Sequence, residues 1–123
     1  MTAKQQWQKE SRKAKADRLE VSFARLWNGV VLDLQQSVPL VREYKFSLTR
    51  KWKFDFAHVG KLVAIEIEGG HWSGGRHVRG KGFENDCEKY LEATLAGWTV
   101  VRLTSNQINT PTLDRIARFI LHL

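Results

Sequence analysis

The chain has few of the residues on which secreted, zinc-binding or membrane-spanning proteins depend. Cys87 is the only cysteine, which excludes an intrachain disulfide and a cysteine-rich zinc site. No stretch approaches the roughly 18 consecutive apolar residues of a membrane-spanning helix. The opening residues, MTAKQQ, lack the apolar segment of a secretion signal. These absences favour a reducing, cytoplasmic location without a membrane partner.

Acidic residues are also in the minority, with 13 Asp and Glu against 20 Lys and Arg and a net charge of +7. For a chain of 123 residues this balance indicates an anionic partner, of which nucleic acid is the commonest. The alternative, on charge alone, is a protein that is basic without having such a partner.

No repeat, Pro/Ser-rich linker or low-complexity run divides the chain, which has only two prolines. We therefore expect a single domain over residues 1–123, with a modest core. Residues 1–18 differ from the rest in being polar and basic. They predict a helical extension, which either contacts DNA or is a solvated continuation of the first helix.

Three stretches have the apolar spacing of helices. The first runs from Leu19 to Leu34 and ends before Pro39. The second spans residues 83–96 and is capped by Gly97. The third opens with Thr110 as N-cap and Pro111 as first helical residue. The side chains expected to face inward are Leu19, Phe23, Leu26, Trp27, Val30 and Leu34 in the first helix, Phe83, Cys87, Leu91 and Leu95 in the second, and Leu113, Ile116, Ala117, Ile120 and Leu121 in the third.

Four stretches are predicted to be strands: residues 41–46, 52–59, 62–68 and 99–104. The second and third form a hairpin around Gly60-Lys61, a two-residue turn of the Gly-X kind. Trp52, Phe54 and Phe56 are expected on one face of the second strand and Asp55 on the other. Glu66 and Glu68 share one face of the third strand. The order α-β-β-β-α-β-α, with a parallel crossover between the last two strands, predicts an α/β fold with a mixed sheet.

The hairpin register brings carboxylates together. With Gly60-Lys61 as the turn, Asp55 faces Glu66 on the same side of the sheet, with Cβ atoms about 4.5–5.5 Å apart. Glu68, two residues on, joins them. Opposed like charges are destabilising unless a cation neutralises them, and carboxylate oxygens suit Mg²⁺ or Mn²⁺. The alternative is an exposed face on which Glu68 pairs with Lys53.

The stretch RKWKFDFAHVGKLVAIEIEGGHW, followed by EKYLEATLAGWTVVRLT, resembles the PD-(D/E)XK nuclease superfamily over about residues 19–104. It is most similar to the very-short-patch-repair-like endonucleases and to small phage and prophage endonucleases. The resemblance implies a restriction-endonuclease-like α-β-β-β-α-β core, with a mixed four-stranded sheet flanked by helices. It also implies a Mg²⁺- or Mn²⁺-dependent endonuclease that hydrolyses the phosphodiester bonds of DNA. The expected setting is repair, recombination or restriction in a bacterial or phage-infected cell, on a branched or damaged DNA.

The same resemblance assigns roles to residues. Asp55, Glu66 and the backbone carbonyl of Ile67 would bind metal. Glu68 stands where the family usually has lysine, so whether Glu68, His71 or a metal hydroxide is the base stays open, as does the number of metal ions. Glu20, on the first helix, would be a further metal ligand, or else a solvent-facing glutamate.

Basic residues complete the predicted site. Lys89 would stabilise charge on the scissile phosphate, or else pair with Asp86 one turn away. The glycine-rich segment 69–82 would contact the phosphate backbone, or else be a solvated loop. Trp52 and Trp72 could stack on bases, with Trp52 more typical of a core residue. The residues expected to bind DNA are Arg50, Lys51, Lys53, His71, Arg76, His77, Arg79 and Lys81.

Two functions therefore follow from the sequence: a metal-dependent nuclease, or a non-catalytic module that uses a nuclease fold to bind nucleic acid. Carboxylates facing phosphate would weaken binding, which favours the nuclease. A homodimer is possible, but nothing in the sequence decides it.

Overall fold

The computed structural model describes residues 1–68 and 80–123. Its elements are helix α1 (Ala3–Leu34), strands β1 (Val41–Lys45), β2 (Lys53–His58) and β3 (Val63–Glu68), helix α2 (Lys81–Leu95), strand β4 (Thr99–Thr104), a short 3₁₀ turn (Ser105–Gln107) and helix α3 (Thr110–Leu121). The order predicted from the sequence is confirmed. Among the described residues, no helix has the length and apolar character needed to cross a membrane.

Helix α1 is one continuous helix of 32 residues. It begins with a capping box, in which the Thr2 hydroxyl accepts from the backbone of Gln5 and the Gln5 side chain accepts from the backbone of Thr2. It ends where Gln35 takes the left-handed conformation. Only its second half is buried, through Phe23, Trp27 and Val30, while residues 1–18 are exposed. Residues 1–18 thus continue α1 as an exposed helix, as predicted for the extension.

The four strands form one sheet in the order β1-β2-β3-β4. Strands β1, β2 and β3 are antiparallel neighbours, and β4 runs parallel to β3, as the crossover through α2 requires. A core between the sheet and helices α1 and α3 contains Phe23, Phe56, Ile65 and Leu113. A smaller cluster joins α2 to the other face through Ala93, Trp98 and Phe54. The predicted α/β fold with a mixed four-stranded sheet is confirmed.

The predicted alternation of strand β2 is wrong at one step. Phe56 lies in the core under α1, whereas Phe54 lies in the cluster under α2. Trp52 goes with Phe54, since both rings stack on Phe46. At the level of Asp55, Glu43 in the neighbouring strand has φ +54°, so the two strands rotate together between the pairs Arg42–Phe56 and Tyr44–Phe54.

The predicted inward face of α2 is also wrong. Phe83, Leu91 and Leu95 are 47%, 56% and 73% exposed, and Cys87 is exposed too. The face that meets the sheet instead carries Lys89, Tyr90 and Ala93. The reason is that the sheet beneath α2 presents Glu66 and Glu68, so the helix face above them must supply polar partners.

Three local details also differ from prediction. Gly60 and Lys61 occupy the centre of the hairpin turn, but Leu62, with φ +55°, takes the left-handed conformation expected of Gly60. Helix α2 begins at Lys81, two residues early. Asn109 caps α3 by accepting from the backbone of Thr112, so Thr110 is already helical. The predicted Gly97 cap is confirmed: Gly97 has φ +92°, and the amide of Trp98 donates to the carbonyl of Ala93.

Candidate active site

Asp55 and Glu66 lie where strands β2 and β3 stop pairing through their backbones. The ladder runs through the pairs His58–Val63, Ala57–Ala64 and Phe56–Ile65, in the predicted register. At the next position the side chains replace the ladder. The Asp55 amide donates to Glu66 Oε2 at 3.2 Å, and the Ile67 amide donates to Asp55 Oδ2 at 2.7 Å. Both carboxylates are therefore oriented by backbone amides.

Glu66 is the one buried charged residue among those described, with 5% of its surface exposed. Its Oε1 accepts from Lys89 Nζ, which reaches down from α2. Burial raises the pKa of Glu66 to about 7, against the lowering effect of Lys89 and with a further raising effect of Asp55. The carboxyl is consequently close to half-protonated near neutral pH in the absence of an added cation.

Glu20 approaches the same place from α1. Its side chain is 13% exposed and faces the sheet rather than solvent. Burial and then the nearby Asp55 raise the pKa of Glu20. Its Oε1 is buried without a hydrogen-bond partner among the described residues, although Arg42 lies 3.8 Å away. Asp55 thus raises the pKa of a carboxyl on either side of it, Glu20 from α1 and Glu66 from β3.

Glu68 has a different cation from Glu66. Its Oε1 accepts from Arg102 Nε on β4 at 2.8 Å and lies 3.5 Å from the Tyr90 hydroxyl on α2. Lys53 pairs with Glu43 at 2.7 Å, so the alternative in which Lys53 neutralises Glu68 is wrong.

Lys89 lies over the carboxylates rather than along its own helix. Its side chain is 15% exposed, its ammonium pairs with Glu66, and it lies 5.6 Å from the ring centre of Phe54. The alternative pairing with Asp86 is not the one that Lys89 makes. The Lys89 ammonium thus lies at the edge of the pair formed by Asp55 and Glu66.

The carboxylate oxygens of these residues suit a divalent cation, but they are not arranged as a complete metal site. Asp55, Glu66 and Glu20 supply hard carboxylate oxygens, one of them without a hydrogen-bond partner in the described residues. Within residues 1–68 and 80–123, however, no three His, Cys, Asp or Glu side chains are arranged to hold a metal ion. Glu66, one of the three, is already paired with the Lys89 ammonium.

The predicted DNA-binding residues that can be located lie just before β2, in β2 and at the start of α2. Arg50 stacks on Trp52, with 4.1 Å from its guanidinium carbon to the ring centre, and pairs with Glu88. Lys51 and Lys81 are exposed, the latter at the first residue of α2. Lys53 is half-exposed beside Glu43. The remaining predictions, His71, Trp72, Arg76, His77 and Arg79, lie outside the described residues.

Sequence reasoning missed Arg102 and Tyr90. The available pattern was a charged residue in the middle of the apolar strand TVVRLT. Because β4 pairs in parallel with β3, Arg102 lies level with Glu66, and its side chain reaches Glu68. That register depends on the length of the crossover between β3 and β4, so it cannot be predicted from the residue pattern of β4 alone.

No protein-family model matches the chain, and no curated protein matches it. Among solved structures, the chain is similar to the catalytic domain of the homing endonuclease I-Bth0305I, with a TM-score of 0.48 and 18% sequence identity. The match covers 79% of this chain and 87% of that domain. A likeness this distant does not establish an activity for this chain.

Proposed function

We propose that this protein is a divalent-metal-dependent endonuclease that hydrolyses phosphodiester bonds in DNA. The observation that carries the proposal is the link between Asp55 and Glu66 through backbone amides, with the buried Glu20 carboxyl approaching Asp55 from α1. Holding three carboxylates in a partly buried place costs free energy, and a structural role alone does not offset that cost. A bound cation offsets it by neutralising the charges.

The rival function is a module that binds nucleic acid without cleaving it. The basic surface serves both functions equally, so it does not distinguish them. The acids do, because carboxylates directed at a phosphate backbone repel it unless a metal ion lies between. The cluster therefore favours cleavage.

Asp55, Glu66, the Ile67 carbonyl and Glu20 are the groups that would hold Mg²⁺ or Mn²⁺. Such an ion would neutralise phosphate charge and lower the pKa of a water molecule. The backbone amides that donate to Asp55 and Glu66 keep both carboxylates oriented for this task. Lys89, at the edge of the cluster, would exchange its contact with Glu66 for a contact with the charge that develops on the phosphate.

The overall reaction is a hydrolysis. The oxygen of a water molecule forms a bond to phosphorus, and the bridge from phosphorus to one sugar oxygen breaks. One proton leaves the attacking water, and one proton joins the departing sugar oxygen. Glu68 is the candidate acceptor of the first proton, and solvent supplies the second.

Around the acids, basic residues would bind the DNA backbone without reading sequence. In the described part of the chain these are Arg50, Lys51, Lys53 and Lys81, and the helical extension contributes a larger group. Residues 1–18 hold six basic and two acidic side chains, a net +4 out of +7 for the whole chain. We extend the proposal to His71, Arg76, His77 and Arg79, in the glycine-rich part of the sequence, as phosphate contacts.

The test is a panel of labelled DNA substrates that includes plain duplex, nicked, mismatched and branched forms. Each is incubated with Mg²⁺, with Mn²⁺, and with either metal plus EDTA. We expect cleavage of at least one form with metal and none with chelator. Binding to every form without cleavage of any would favour the rival module. Cleavage confined to four-way junctions by a dimer would favour a junction-resolving enzyme.

A further inference from the structure

Glu68 is held through one of its two oxygens. Arg102 Nε and the Tyr90 hydroxyl both approach Oε1, at 2.8 and 3.5 Å. No described residue donates to Oε2. Among the described residues, Glu68 is therefore anchored at Oε1 alone.

Arg102 is itself restrained. Its guanidinium lies over the ring of Tyr90, with 4.8 Å from its central carbon to the ring centre. Strand pairing sets Arg102 level with Glu66, yet its side chain reaches the next acid along, Glu68. Glu66 is already paired with Lys89. Each acid of β3 therefore has its own cation, supplied by a different element of the fold.

This division separates two kinds of acid. Glu66 is joined to Asp55 by hydrogen bonds from backbone amides. Glu68 is oriented toward β4 and Tyr90 by two donors that both use the same oxygen.

We propose that Arg102, braced by Tyr90, is the positioning residue of Glu68. The inference rests on the proposed nuclease function and assigns Glu68 the part of base rather than of metal ligand. Arg102 Nε fixes the carboxylate so that Oε2 accepts the proton of the water whose oxygen bonds to phosphorus. The phosphorus–oxygen bond to the leaving sugar breaks, that oxygen takes a proton from solvent, and Glu68 returns its own proton to solvent.

The test is a double-mutant cycle in single-turnover cleavage with Glu68→Gln and Arg102→Gln. We expect Arg102→Gln to slow cleavage by about tenfold or more in the native background, a part of the effect of losing a general base. In the Glu68→Gln background the same change should slow cleavage by less than about twofold, since its target is already removed. Arg102→Lys should recover part of the rate, because the ammonium keeps the charge and loses the planar fork.

Arg118→Gln is the matched control. Arg118 Nε donates to Asp114 at 2.9 Å, with 58% of its side chain exposed against 51% for Arg102, on the opposite side of the sheet. It should leave cleavage unchanged. Thermal unfolding of both variants shows whether Arg102→Gln acts on stability alone, in which case cleavage would fall equally in both Glu68 backgrounds and the proposal would fail.

Two readouts do not depend on turnover. Titration of the protein with Mn²⁺ alone should show affinity rising by several-fold in Arg102→Gln, because the Glu68 carboxylate then has no partner charge and attracts the ion. In the Glu68→Gln background the rise should shrink to less than about twofold, because the released carboxylate is what attracts the ion. DNA binding by Asp55→Asn protein should keep its salt dependence when Arg102→Gln is added. A slope reduced by about 0.9 would mean that Arg102 contacts a phosphate directly, which contradicts the proposal.

The two proposals can fail separately. If the protein cleaves DNA and Asp55→Asn does not, while Glu68→Gln cleaves normally, the nuclease stands and the role of Arg102 falls. If no DNA is cleaved with either metal, the nuclease falls, and the Mn²⁺ titration still decides whether Arg102 controls Glu68.

Discussion

Two hydrogen bonds from backbone amides join Asp55 and Glu66 at the point where strands β2 and β3 separate. The Asp55 amide donates to the Glu66 carboxylate, and the Asp55 carboxylate accepts from the amide of Ile67, the residue after Glu66. The separation opens the end of the sheet, so that side chains rather than a ladder occupy it. The acids are thus part of how the hairpin ends, and their positions are set by the sheet.

The first prediction concerns Glu66 and pH. Because burial raises the folded-state pKa of Glu66 to about 7 from 4.5, its contribution to stability is complete at low pH and is lost as the pH rises through about 7. Glu66→Gln should therefore remove part of the decline in the free energy of unfolding between pH 5 and pH 8. Urea unfolding at a series of pH values measures it. An identical pH dependence in the variant would mean that Glu66 titrates normally.

The second prediction concerns Lys89. Lys89→Met leaves the buried Glu66 without its partner, which should lower the free energy of unfolding by about 3–5 kcal/mol at pH 8. The loss should be smaller at pH 5, where Glu66 is mostly protonated. Lys13→Met is the control, since Lys13 pairs with Asp17 on the exposed extension and should change little. Equal losses at both pH values would contradict the ion pair as the source.

The hairpin and its acids could be predicted because they depend on short-range pattern. The turn at Gly60-Lys61 sets the register, and the period of two in β3 separates Glu66 and Glu68 from Ile65 and Ile67. The same rule failed in β2, since the rotation opposite Glu43 is a property of two strands together. Local sequence does not contain it.

The face of α2 shows where tertiary structure overrides periodicity. Its apolar residues repeat every four positions and predict a buried stripe, yet that stripe is exposed. The inward face is chosen by what lies beneath it, a sheet surface with Glu66 and Glu68 that requires Lys89 and Tyr90. The contact between Glu68 and Arg102 could not be predicted from the sequence for a similar reason. It depends on the parallel register of β3 and β4.

The third prediction concerns Glu68. Glu68→Gln keeps the size of the side chain and loses its charge, so single-turnover cleavage should fall by about 10²-fold or more. The Mg²⁺ concentration for half-maximal rate should stay the same if Glu68 is a base, and should rise if it is a ligand. Glu68→Lys restores the usual residue of the resembled family, and partial activity would agree with a base near a single metal ion. Rates equal to wild type across the titration would exclude both roles.

The fourth prediction concerns the extension. Arg12 and Lys9 precede Phe23 by about three and four helical turns, so they lie on the face of α1 that meets the sheet farther along. Arg12 lies roughly 12 Å and Lys9 roughly 16 Å from Glu20 along the helix axis. Lys9→Gln with Arg12→Gln should reduce the salt slope of DNA binding by about 1.8, the release of two counterions.

The control for the extension is Arg25→Gln with Arg115→Gln, which removes two exposed charges elsewhere. It should leave the slope nearly unchanged. If both pairs reduce affinity equally, the effect is that of net charge, and the extension is a solvated helix with no contact of its own.

The most direct test of the central claim is cleavage by Asp55→Asn. Asparagine keeps an acceptor for the Ile67 amide, so the fold and DNA binding should persist, while the charge between Glu20 and Glu66 is lost. With saturating Mn²⁺ and the best substrate of the panel, we expect no cleavage above background. Asp33→Asn, a change on the exposed side of α1, should cleave as the native protein does. Full cleavage by Asp55→Asn at the Mn²⁺ concentration that suffices for the native protein would contradict a metal-dependent nuclease centred on Asp55.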